Sequence, residues 1–399
     1  LKPKNIFAVT GTNGKTSVAD YFYQILNTNN IPVAYIGTLG IKYKGKLLKT
    51  NLTSPDTITL HKNLQILKKD KIDNVIIEAS SHGLDQGRLK YVNIKAGIFT
   101  NLSQDHLDYH KTMKAYLEAK LILFKKLLPK KSYVITDSFI KQYRYLKKIS
   151  RKRKLKLLDI NKNINKNIKI PLSLIGSFQV KNLSMACLAA QLCNLGDTRI
   201  NNALKRIKDV EGRLELAKKY PNNIRIIIDY AHTPDALAKV IKSLKGNNNK
   251  IISLVFGCGG ERDLKKRPLM AKVAKLYCEK IYVTDDNPRK ENPEEIRKTI
   301  IKHLKGSNYF NIGNRAKAIK KAILNAVPNE TILVAGKGHE NYQDYGNKII
   351  TISDKEIIKK LKIKKNKVNK KKQNYLFNSK MLNKIIKNNF FYKFDGLAI

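Results

Sequence analysis

The stretch "FAVTGTNGKTSVADYF", Phe7 to Phe22, decides the fold. Its first part, within "NIFAVTG", is a short apolar run of strand type, and "KTSVADYFYQILNTNN" reads as a helix. Between them "TGTNGKTS" turns on Gly11 and Gly14, which let successive backbone N–H groups point inward on a phosphate. Lys15 can then reach the β- and γ-phosphates of a nucleotide, and the Thr16 hydroxyl can ligate Mg²⁺. Gly11, Thr12, Asn13, Gly14, Lys15, Thr16 and Ser17 are thus the expected ATP cradle. The usual loop has a further glycine where this chain carries Val9. The loop specifies a nucleotide and leaves the reaction open.

Outward from the loop, apolar runs alternate with helical patterns: "VAYIG", "NVIIEAS", "AGIFTNL" and "SYVITD". That alternation predicts a mainly parallel sheet with helices on both faces, an α/β fold around a phosphate-loop ATPase domain. It is expected to run to about residue 150, with "KKISRKRKLK" (Lys147 to Lys156) as an exposed basic connection and a long helix near Val180 to Gly196. After "DVEGRLEL" a second series begins, "IRIIIDYA", "IISLVFG", "KIYVTDD" and "ETILVAG", and predicts a Rossmann-like α/β domain. The expected division is 1–209, 210–361, and a basic linker and tail over 362–399.

Composition narrows the class. The chain has 399 residues with 42% hydrophobic and 28% charged, ordinary for a globular protein of two or three domains. No apolar run approaches the ~20 residues of a membrane helix. Four cysteines, Cys187, Cys193, Cys258 and Cys278, lack zinc-ligand spacing and read as reduced, mostly buried thiols of a cytoplasmic protein. The formal charge of +48 suggests nucleic acid. Basic residues are spread through helices, loops and tail rather than gathered into one stripe, so compositional bias is the better reading.

Three further motifs carry chemistry. "VIIEASSHGLDQGRL" ends a strand on Glu78, where a second Mg²⁺ ligand belongs, although a lone Glu there could equally be a surface carboxylate. In "TNLSQDHLDYH", His106 and His110 stand four apart, but no Glu adjoins the first and no thiol is near, which argues against zinc. Lys120, in "YLEAKLILF", would ordinarily be a solvated side chain.

"TGTNGKTS", "EASSHGL", "NLSQDHLDYH" and "YLEAKLILF", in this order and spacing, resemble the ATP-dependent Mur ligases of peptidoglycan synthesis over about residues 4 to 361. That family carries the shortened loop. The resemblance implies a two-Mg²⁺ site in which Lys15 and Thr16 hold the triphosphate and one metal, and Glu78 and His106 supply ligands. It implies that Lys120 is carbamylated (N6-carboxylysine), which turns an ammonium into an anionic group and requires a neutral amine. Lys15, Lys120, Glu78 and His106 form the implied catalytic set. Thr53, Ser54, Ser80, Gln86 and Arg88 match positions that contact the UDP-muramoyl dipeptide, and Asn182, Arg213 and Asp229 match nucleotide-contacting positions. His232 falls near the same site by resemblance, without an assigned role.

"VTDDNPRKENP" carries Asp286, Asn287, Pro288 and Arg289, the signature of the family members that add meso-diaminopimelate. The chemistry fits: diaminopimelate has a carboxylate where lysine has none, and Arg289 can pair it in fork geometry. Arg262, Gly336 and Glu340 match further diaminopimelate-contacting positions. The implied reaction is phosphorylation of the D-glutamate carboxylate of UDP-N-acetylmuramoyl-L-alanyl-D-glutamate, followed by attack of the diaminopimelate amine on the acyl phosphate. The alternatives are a lysine-adding Mur ligase, a folylpolyglutamate-synthase-like ligase and, from another class, a basic nucleic-acid-binding ATPase. Family members begin with a uridine-binding domain that is not found ahead of the loop here. "MLNKIIKNNFFYKFDGLAI" (Met381 to Ile399) resembles the start of the next ligase of the pathway, so a fused polypeptide is expected.

Overall fold

The structure, a computed structural model, describes residues 2–361 apart from 51, 172–173 and 247–249. The tail expected to open a further domain lies outside the described residues. Residues 2–361 form one compact unit containing two large sheets.

The first sheet holds eight strands: β1 (Asn5–Thr10), β2 (Val33–Gly37), β3 (Gly40–Tyr43), β4 (Lys46–Leu48), β5 (Asn74–Glu78), β6 (Ala96–Phe99), β7 (Tyr133–Thr136) and β8 (Lys156–Asp159). Their order is β4-β3-β2-β5-β1-β6-β7-β8. All pairings are parallel except the β2-β3-β4 meander at one edge. Strand alternation sorts β1 between two cores. Phe7 and Val9 pack with Phe22, Leu26 and Leu183 on one face, and Ile6 and Ala8 with Leu60, Leu64 and Phe124 on the other. Burial on both faces is why these strands read as continuous apolar runs.

The stretch Lys147 to Lys156 is not a connection. It lies mostly in a helix, Tyr143–Arg153, that leads into β8 and extends the alternation by one unit. Leu146 and Ser150, four apart, are its buried positions, and the cationic side chains take the outer face. The long helix runs Ser177–Gln191, earlier than expected.

The second sheet is formed by β9 (Glu215–Tyr220), β10 (Ile224–Asp229), β11 (Ile252–Phe256), β12 (Lys280–Val283), β13 (Tyr309–Asn311) and β14 (Thr331–Ala335), in the order β13-β12-β11-β14-β10-β9. β9 is its antiparallel edge. Helices Pro234–Lys245 and Lys266–Tyr277 cover one face, and Arg315–Leu324 and Asp354–Lys360 the other. A small antiparallel pair, β15 (Tyr342–Asp344) and β16 (Ile349–Thr351), follows β14. No described helix is long and apolar enough to cross a membrane. The four cysteines are free thiols, Cys187 buried and the other three partly exposed.

Candidate active site

β1 sits between β5 and β6, so the carboxyl ends of three parallel strands meet where the chain direction of the sheet order reverses. β1 delivers the phosphate loop, β5 delivers Glu78, and β6 leads through Thr100 to His106. The loop needs its glycines. Gly11 (φ +144°) has Thr100 Oγ1 1.9 Å from where a Cβ would stand, and Gly14 (φ +89°) has Asn182 Oδ1 at 2.5 Å. The Asn182 side chain therefore stands against the loop.

Lys15 folds back, its ammonium donating to the Gly11 and Thr12 carbonyls at 2.9 Å each. Burial lowers its pKa, opposed by the nearby Glu78 and Asp105 carboxylates. The Thr12 hydroxyl contacts Tyr116 and Ser103, and the Asn13 amide donates to Asn101. Ser17 is buried inside the first helical turn.

Glu78 is fully buried and collects neutral donors: Tyr35 OH, the Thr38 amide and hydroxyl, and the Thr16 hydroxyl at 3.1 Å. Among the described residues it has no ion-pair partner, which suits a carboxylate awaiting a cation. Arg213, from beyond the change of sheet, donates to the same Thr16 hydroxyl at 3.2 Å and stacks on Tyr230. Lys120 is 1% exposed, donates to the Gly11 carbonyl at 2.9 Å, and lies over the Tyr116 ring. Burial, and then the neighbouring Lys15, hold its pKa well below 10.5. His106 occupies the left-handed region (φ 52°), and burial pushes its pKa down to about 3. Thr16, Glu78 and Lys120 thus meet at one loop, and His106 lies edge-on to Tyr116, whose hydroxyl contacts Thr12.

The five expected muramoyl-peptide residues form one connected network. Thr53 touches Thr38, and Ser54 donates to the Glu78 carbonyl at 2.7 Å and meets Ser80 at 3.1 Å. Arg88 donates to the Ser54 carbonyl and to Gln86. Asp229 is taken up differently: its oxygens accept from the Leu214 and Ala231 amides, so it braces the turn after β10. Burial raises its pKa.

A cavity of about 130 Å³ joins the two series of loops, lined by Asp105 and His106 from the first and by Arg262, Asp286, Asn287, Arg289, Gly336 and Glu340 from the second. Arg289 donates from Nη1 to the Gly260 carbonyl at 2.6 Å. Pro288 crosses Gly260 so closely that a Cβ there would come 1.9 Å from its carbonyl oxygen. Arg262 is half exposed and faces Asp108 at 3.5 Å.

Four side chains at this site have no counterpart among the sequence expectations. Asp105 contacts His106 and His232 at 3.4 Å and Lys266 at 3.3 Å. Burial alone would raise its pKa, but the contact with His232, the charges of His232 and His106, and Lys266 hold it well below 3.8. Lys266, Tyr230 and Lys337 complete the set. Asp105 was signalled by its place beside His106, and Lys337 by the Gly on each side of it.

The Mur ligase middle domain family model matches residues 9–167, and the model for the Mur ligase glutamate ligase domain matches 212–338. A UDP-N-acetylmuramoyl-L-alanyl-D-glutamate--2,6-diaminopimelate ligase of Rickettsia bellii (strain RML369-C) is 40% identical, with 89% of this chain and 80% of that protein covered. The protein of the same name from Leptospira interrogans is 36% identical, over 90% of this chain and 76% of its own. A solved structure with that ligase name aligns at a TM-score of 0.61 and 31% identity, covering 90% of this chain and 78% of that one. Escherichia coli FolC, solved with DHPP and ADP, aligns at 0.66 but is 18% identical, over 84% and 86%, a likeness of fold alone.

Proposed function

The chain belongs to the Mur ligase family, and from that premise we infer that it joins meso-2,6-diaminopimelate to the D-glutamate of UDP-N-acetylmuramoyl-L-alanyl-D-glutamate, using ATP and Mg²⁺. The observation that carries the specificity is the cavity that holds Arg289 and Glu340 on one wall and His106, beside the phosphate loop, on the other. We place the reaction in the cytoplasm, where its nucleotide-linked substrates are used.

We assign the roles as follows. On ATP binding Lys15 leaves the Gly11 and Thr12 carbonyls and pairs with the β- and γ-phosphates, while loop N–H groups take the remaining oxygens. The buried Glu78 carboxylate, which meets only neutral donors, and the Thr16 hydroxyl would hold Mg²⁺, with His106 and a carbamate on Lys120 as further donors; the metal would neutralise phosphate charge. Arg213 adds a fixed positive charge from the far side of the loop. The network of Thr53, Ser54, Ser80, Gln86 and Arg88 holds the muramoyl peptide so that its terminal carboxylate attacks the γ-phosphorus, the bond to the β–γ bridging oxygen breaks, ADP departs and an acyl phosphate is left. Arg289 pairs the distal carboxylate of diaminopimelate and Glu340 an ammonium, which leaves the other amine facing the acyl carbon. Attack gives a tetrahedral intermediate that collapses to the amide and phosphate.

The test is ADP release with ATP, Mg²⁺ and the UDP-muramoyl dipeptide, comparing meso-diaminopimelate with L-lysine. Release that depends on diaminopimelate is expected, and release that depends on lysine instead would overturn the specificity.

A further inference from the structure

We propose that Lys337 is a positioning residue of the amino-acid pocket, fixing the Asn287 amide and the Glu340 carboxylate in the orientation that receives the incoming amino acid. The inference rests on the diaminopimelate reading of that pocket and adds the group that shapes it.

Lys337 is 1% exposed, although a lysine in a loop normally reaches water. The backbone forces it inward. Gly336 (φ +106°) passes Asp286 so closely that a Cβ would come 2.6 Å from its Oδ2, and Gly338 (φ +53°) passes Gly212 and Tyr230 with 2.9 Å to each. Only glycine fits either side of this thread, and the residue between them points into the protein.

There the ammonium donates at 2.9 Å to Asn287 Oδ1 and at 2.9 Å to Glu340 Oε2. Asn287 Oδ1 also accepts the Asp344 amide at 3.1 Å, so the oxygen edge of the amide faces two donors. Its NH₂ edge must then turn the other way, and it donates to Glu340 Oε2 at 3.0 Å. Tyr230 OH holds the second carboxylate oxygen at 3.2 Å. Removing Lys337 leaves the amide oxygen with the Asp344 N–H alone, and leaves Glu340 with the Asn287 and Tyr230 donors but without its cation. A lysine suits this point, since a compact ammonium with rotatable donors serves two acceptors in different directions where a planar guanidinium would not. Lys337 itself does not line the cavity, whereas Asn287 and Glu340 do.

The experiment compares the full chain with its Lys337→Met and Lys337→Gln variants in ADP release, varying meso-diaminopimelate, ATP and the UDP-muramoyl dipeptide in turn. Thermal unfolding is followed in parallel. Lys337→Met is expected to raise KM for diaminopimelate about tenfold or more, the loss of a charge-assisted bond, with KM for ATP and the dipeptide within about twofold. Lys337→Gln, which keeps a donor for Asn287 without the charge, should fall between and remains available if the methionine variant does not fold. Unchanged diaminopimelate KM in a folded variant, or equal losses for all three substrates, would overturn the proposal. A wild-type chain that turns over lysine instead would overturn the underlying reading, and is recognised without any variant.

Discussion

Replacing Arg289 by lysine keeps the charge and removes the fork. In the structure Arg289 Nη1 is committed to the Gly260 carbonyl at 2.6 Å, while Nη2 has no partner among the described residues. The backbone is equally fixed, with φ at 53° and the amide donating to the Asp344 carbonyl at 2.9 Å. A lysine ammonium cannot hold Gly260 and grip both oxygens of a substrate carboxylate at once, so about one charge-assisted hydrogen bond is lost. Such a bond contributes about 1.5–3 kcal/mol, or roughly a 10- to 150-fold fall in kcat/KM for meso-diaminopimelate. L-lysine has no distal carboxylate, so its turnover should change by less than about twofold. The assay is steady-state ADP release with each amino acid varied at saturating ATP and dipeptide. If Arg289→Lys uses diaminopimelate as well as the wild type does, the fork does not read that carboxylate and the specificity argument fails.

Three other outcomes are expected. Gly14→Ala should abolish nucleotide binding measured by calorimetry and cost about 1–3 kcal/mol of stability, since a Cβ at φ +89° would press on Asn182 Oδ1. Asp354→Ala should cost about 3–5 kcal/mol in chemical denaturation, because it strands the fully buried Arg315 guanidinium that Asp354 pairs at 2.7 and 2.8 Å. After incubation with ¹³C-bicarbonate, the chain should show a carbamate resonance that Lys120→Gln removes. Burial, then Lys15, lower the Lys120 pKa, so its neutral amine persists further below 10.5 than that of a free lysine, and the signal should fade as pH drops through the lowered value.

The phosphate loop and most parallel strands were legible because their signals are local: short apolar runs, each ending near glycine or a polar turn. The Tyr143–Arg153 helix was hidden by its cationic outer face, which outweighs two buried positions. The β3-β4 meander and the β9 edge carry polar or exposed residues and so show no apolar run. At the site, family motifs pointed to His106, Arg262, Asp286, Asn287, Arg289, Gly336 and Glu340, which line the cavity, while those motifs assign nothing to Lys337 or Asp105. What buries Lys337 is Asn287, 50 positions away in the chain, and what holds Asp105 includes Lys266, 161 positions away. A residue's own neighbours in sequence cannot report such partners. Asp229, matched to a nucleotide contact, also accepts two backbone amides, from Leu214 and Ala231, which the motif did not announce.

Glu78 faces two ways. Its carboxylate meets Thr16 of the phosphate loop, and its backbone carbonyl accepts the Ser54 hydroxyl at 2.7 Å within the proposed muramoyl-peptide network. The residue is itself set by the ladder that pairs it with Val9. On the proposed assignment, the span from phosphoryl donor to acceptor is gauged by main-chain pairing, with the strands serving as a ruler and the side chains reading off its marks. Surface loops can change in length and charge without moving the two ends of the transfer apart.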